Sequence, residues 1–114
     1  NFNFGPNETS NKTVKNLIDG LSKRWGYENE SDSYSIKHTD DFHEAGLLQL
    51  DCAKAEDLLD WKPNLSFEQM INFSSDWYKE FYTSNNIEQM IITSENQIKS
   101  YVDIASKKNY SWTN

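Results

Sequence analysis

Cysteine occurs once in the 114 residues, at Cys52, so no disulfide can form within the chain, and a reducing compartment suits it best. Basic residues are in deficit. Eleven Lys and Arg stand against 18 Asp and Glu, a formal charge of −7, which argues against a nucleic-acid partner, because phosphate-backbone binding needs clustered cations. No apolar run approaches the ~20 residues that span a bilayer, and no signal-peptide pattern opens the chain, so the sequence reads as cytoplasmic. Glycine appears only at Gly5, Gly20, Gly26 and Gly46, too scattered for a phosphate-cradling loop, which excludes a dinucleotide fingerprint from this segment. No Tyr is followed by Lys four positions on; Tyr34 and Lys37 are one residue too close for such a pair.

Aromatic residues are plentiful. They make up 14% of the chain, and each large ring buries much area, so one domain of this length can build a core despite a low mean hydropathy. Asparagine is also common, at thirteen residues, and Asn-x-Ser/Thr triplets begin at Asn7, Asn11, Asn29, Asn64, Asn72 and Asn109. In so Asn-rich a chain such triplets arise by chance, and Asn72 lies within a helical pattern, so they are not read as glycosylation sites. Asn1-Phe2-Asn3-Phe4 alternates polar and apolar before Gly5-Pro6, which predicts a short strand and turn. A strand at the first residue suggests a piece of something longer.

Val14, Leu17, Ile18, Leu21 and Trp25 recur at helical spacing, with Asn11 or Thr13 as cap and Gly26 placed for a left-handed end. Residues 27–46 are polar and acidic, with a short strand suggested around Tyr34 and Ile36, and Leu47-Leu48-Gln49-Leu50 reads as a buried strand. Asp51 is the expected N-cap of a short helix that turns Ala55, Leu58 and Leu59 inward and stops before Trp61 and Pro63. Ser66 and Gln69 form a capping box for a helix with Phe67, Met70, Ile71, Ser74, Trp77, Tyr78 and Phe81 on one face. Met90-Ile91-Ile92 reads as extended. A last helix is expected from Thr93 or Ser94, with Ile98, Tyr101, Val102 and Ala105 facing in. The expected fold is mixed α/β but mostly helical: about four helices with two or three short strands.

One constellation offers chemistry. His38, Asp40, Asp41, His43 and Glu44 place two imidazoles and three carboxylates within seven residues. Their spacing matches no standard metal motif. A solvated acidic loop explains them, and so does a recognition loop, since His can contact a phosphate and a carboxylate can accept from ribose hydroxyls. Composition does not choose. Cys52 has no neighbouring His and is read as a packing residue. Asp51 and Lys54 are explained as a cap and a first-turn lysine.

Several stretches, in this order and spacing, point further: Asn3-Phe4-Gly5-Pro6, Trp25-Gly26, His43-Glu44-Ala45 leading into Leu48-Gln49-Leu50-Asp51-Cys52-Ala53-Lys54-Ala55, Leu59-Asp60-Trp61-Lys62-Pro63, Asp76-Trp77-Tyr78-Lys79, and Gln97-Ile98 before Tyr101. Together they resemble the C-terminal third of CDP-glucose 4,6-dehydratases, in the extended short-chain dehydrogenase/reductase family. The Asp-x-x-Lys-Ala to Leu-x-Trp-x-Pro segment and the Trp-Tyr helix look like the whole family. The His-Glu-Ala lead-in, the Asp-Cys step and the Gln-Ile…Tyr ending look like the CDP-glucose branch. Where the family has Leu-Gly-Trp this chain has Leu59-Asp60-Trp61, and Asp tolerates a left-handed backbone better than most residues. Residues 27–42 carry no family motif.

The resemblance implies that residues 1–114 form a C-terminal nucleotide-sugar-binding lobe, with the NAD-binding Rossmann domain and its Tyr-x-x-x-Lys pair absent from this chain. NAD would belong to the intact, homo-oligomeric enzyme, and no cofactor, catalytic residue or metal is expected here. The expected partners are a CDP-sugar and the N-terminal Rossmann domain. His43 and Glu44 are the expected substrate-binding residues, near pyrophosphate and ribose respectively. Another nucleotide-sugar dehydratase or epimerase is the sister reading, and a non-catalytic interaction module is the reading from a different class.

Overall fold

A computed structural model describes residues 1–6, 12–29, 32–35, 37 and 50–113. Among these residues are four helices, α1 (Val14–Trp25), α2 (Ala53–Leu59), α3 (Phe67–Ser84) and α4 (Ile87–Lys107), followed by a 3-10 turn at Ser111–Thr113.

The helix ends follow local chemistry. At α1 the Thr13 hydroxyl accepts from the Asn16 backbone N–H at 3.1 Å, while the Asn16 side chain accepts from the Thr13 N–H at 3.0 Å. Ser66 and Gln69 repeat this reciprocal cap at α3, at 3.1 and 2.8 Å. Each pair satisfies two N–H groups that a helix start leaves without partners. Gly26 ends α1 at φ 106, a region that costs glycine nothing, and Asp60 ends α2 at φ 48. The Gly-to-Asp departure at position 60 thus keeps the left-handed turn. Cys52, not the expected Asp51, stands at the N-cap of α2, although the Asp51 side chain still accepts from the Ala53 N–H at 3.0 Å.

The strand expectations are corrected. Among the described residues there is no strand: residues 1–6 form no ladder, Tyr34 lies in irregular backbone, and Met90-Ile91-Ile92 falls inside α4. The last correction has a local cause. Asn86 caps a helix eight residues earlier than Ser94 could, its side chain accepting from Glu88 and Gln89 N–H groups at 2.9 and 3.3 Å. Ile36 and residues 47–49 of the expected buried strand lie outside the described residues.

α3 is the central helix, packed against α1 on one side and α4 on the other. At the first seam a Cβ on Gly20 would stand 3.2 Å from Ile71 Cδ1, so glycine permits the close approach. Arg24 donates two hydrogen bonds to Asp76, at 2.9 and 2.8 Å, and the guanidinium is held above its ordinary pKa by that carboxylate. At the second seam Trp77 Nε1–H donates to Ser94 Oγ at 3.0 Å, and Gln97 donates to the Phe73 carbonyl at 2.7 Å.

Among the described residues the buried apolar side chains are Ala55, Ile71 and Ala105. Several positions expected to face inward are exposed, among them Val14, Leu58, Leu59, Tyr78, Phe81, Ile98 and Val102. Their periodicity is right, but no second layer of described residues covers them.

Asp19 on α1 accepts from Tyr34 O–H at 2.5 Å and from Lys15 at 2.9 Å. The Tyr34 bond first, and Lys15 second, hold its carboxyl below the ordinary value of 3.8. A lowered folded-state pKa gives a contribution that is complete above the ordinary carboxylate range and lost as pH falls through the folded value. Tyr34→Phe should therefore flatten the acid limb of thermal midpoint against pH, between about pH 5 and pH 2. An unchanged slope would show that the contact does not tie residues 32–35 to α1.

Candidate functional site

A cavity of about 760 Å³ lies where the starts of α1 and α3 meet the extended residues 4–6 and the segment after α2. Its size suits a small-molecule ligand. One wall is aromatic: Phe4 meets Trp61 edge to face at 5.1 Å between ring centroids. Across from it are Lys12, Thr13 and Val14 of the α1 start and Ser66 and Phe67 of the α3 start. Lys12 Nζ stands 5.5 Å from the centre of the Phe67 ring.

The electrostatics follow from this placement. Both capping boxes satisfy the N-cap and third-residue N–H groups, leaving the first helical residues without an intrahelical acceptor. Two helix starts and a lysine therefore face one cavity in a chain of net negative charge, which favours an anionic group there. The Trp61 and Phe4 rings offer a flat apolar surface for the rest of a ligand.

Asn64 links this wall to α4. It is only 2% exposed, and its side-chain amide donates to the Tyr101 carbonyl at 2.7 Å. That burial rules it out as a glycan acceptor in the folded chain, despite its triplet. A contact with Tyr101, 37 residues away, has no local signature in the sequence. Lys12 belongs to none of the sequence motifs, although a lysine directly before a Thr cap is a readable signal.

His43 and Glu44, the residues singled out from sequence, lie outside the described residues, as do His38, Asp40 and Asp41. Among the described residues no cluster of His, Cys, Asp or Glu could hold a metal ion. Cys52 is half-buried, its Sγ 3.4 Å from where a Cβ on Gly5 would lie, consistent with packing. Lys54 is not paired with Asp51; its ammonium stands 5.1 Å from the Phe2 ring centre. No described helix is long and apolar enough to cross a membrane.

Comparison with known proteins places the chain beside a nucleotide-sugar dehydratase. The relative is the CDP-glucose 4,6-dehydratase of Salmonella typhimurium strain LT2, to which the chain is 29% identical over 106 residues. The match covers 93% of this chain and 28% of that protein, so the chain spans just over a quarter of its relative's length. The resemblance carried by the sequence motifs is thereby borne out. No family model matches the chain, and no solved structure matches it.

Proposed function

We propose that this chain is the C-terminal, nucleotide-sugar-binding lobe of an NAD-dependent CDP-glucose 4,6-dehydratase, which converts CDP-glucose to CDP-4-keto-6-deoxyglucose and water. The observation that carries this reading is similarity to one such enzyme along nearly the whole chain. The cavity supports it: an anion-favouring edge beside an aromatic wall suits the diphosphate and ring system of a sugar nucleotide. His43 and Glu44 complete the nucleotide edge in this proposal, at pyrophosphate and ribose.

Among the described residues there is no glycine-rich loop to hold the phosphates of NAD. Gly20 is occupied by packing against Ile71, and Gly5 against Leu50 and Cys52, so neither opens a phosphate cradle. The dinucleotide and the groups that move hydride belong to a Rossmann domain outside these residues, and this lobe binds and orients substrate without turning it over. Exposed aromatic residues favour that arrangement over a stand-alone interaction module. Tyr78, Phe81 and Tyr82 of α3 form one contiguous ring cluster, with Tyr82 69% exposed, and a self-sufficient module would cover such a surface.

Thermal stabilisation of the intact protein by CDP, UDP, GDP and dTDP tests the reading. CDP at about a hundred times its dissociation constant should stabilise by about 2.7 kcal/mol, and the others by less at equal concentration. The double variant His43→Ala, Glu44→Ala should raise the Michaelis constant for CDP-glucose. Equal stabilisation by all four nucleotides would reassign the substrate class, and an unchanged Michaelis constant would remove both residues from the site.

A further inference from the structure

We propose that the turn following α4 is a strap that fixes the aromatic wall of the cavity, with Lys108 and Tyr110 as positioning residues for ligand binding. The inference rests on the cavity taking the nucleotide, as proposed above.

Trp61 sits on an irregular segment, residues 60–65, between α2 and α3. Irregular backbone has no ladder to hold it, so its position depends on where its carbonyls and side chains find partners. Among the described residues, every long-range hydrogen bond of this segment goes to α4 or the turn beyond it. Tyr110 O–H donates to the Pro63 carbonyl at 3.3 Å, and Lys108 Nζ donates to the Asn64 carbonyl. Ser111 donates to Asp60 Oδ2 at 3.2 Å, and the Asn64 amide reaches Tyr101. The turn is itself anchored: Trp112 stacks on Tyr101 at 6.1 Å between centroids, and Thr113 N–H donates to the Tyr110 carbonyl at 3.0 Å.

Lys108 borders the cavity, yet its ammonium is committed to a backbone carbonyl. Its effect on a ligand therefore passes through the wall. Four contacts, bridging 37 to 51 residues of sequence, converge on the segment that presents Trp61. Loosening them lets the ring leave the orientation it holds against Phe4, and a ligand must then restore that orientation as it binds.

The test uses the intact protein labelled with 5-fluorotryptophan, with the Trp61 resonance assigned by Trp61→Phe, and calorimetric titration with CDP. Tyr110→Phe removes one neutral hydrogen bond and should weaken CDP binding about fivefold; Lys108→Met removes a charged one and should weaken it about tenfold. Both should shift or broaden the Trp61 resonance, and Lys108→Arg, which keeps the donor, should restore affinity and line shape. If CDP binds the unaltered protein and both variants equally well, the strap is overturned. If the unaltered protein binds no nucleotide, the functional reading has failed instead. The strap then stands or falls on whether Lys108→Met moves the Trp61 resonance.

Discussion

Replacing Ile71 with alanine should lower the unfolding free energy of the intact protein by about 2–5 kcal/mol, the range for deleting a buried branched side chain without collapse of the space it leaves. Ile71 is 4% exposed and is the one large apolar side chain fully enclosed among the described residues. It fills the α1–α3 seam opposite Gly20, which has no side chain to take up the space. Ile71→Val should cost far less, about 0.5–1.5 kcal/mol. Denaturant midpoints at constant slope measure both. A loss under about 1 kcal/mol for the alanine variant would mean that the seam is not where the lobe is held together.

The second large effect concerns charge. Lys12→Glu should weaken binding of CDP to the intact protein by about tenfold at low ionic strength, and the loss should shrink as salt is added. The substitution puts an anion beside two helix starts that favour a phosphate, and it also removes the ammonium from the Phe67 ring. Lys12→Gln separates the two contributions, since it removes attraction without adding repulsion. Calorimetric titration at two salt concentrations provides the comparison. Equal affinity for all three proteins at low salt would place the phosphates elsewhere.

Local chemistry made much of this architecture readable. The Thr13 and Ser66 caps, the left-handed Gly26 and the turn at Asp60 depend on neighbours three to five residues away, and all appear as expected. Features that depend on distant partners were harder to read. A strand at residues 1–4 needs a paired backbone, which alternation of Asn and Phe alone cannot supply. Ile87 to Ile92 contains enough β-branched residues to suit either state, and the Asn86 cap, not the apolar triplet, decides for helix. The inward faces of α2 and α4 had the right spacing, but spacing says which residues share a face and not whether anything covers it. At the candidate site, Trp61 stood out in a motif, whereas Asn64 and Lys108 matter only because two segments far apart in sequence meet.

The arrangement of helices side by side has a thermodynamic corollary. Heat capacity and denaturant sensitivity both scale with the surface that unfolding newly uncovers. A sheet of helices whose rings already touch water uncovers little, so both quantities should be small for this chain on its own.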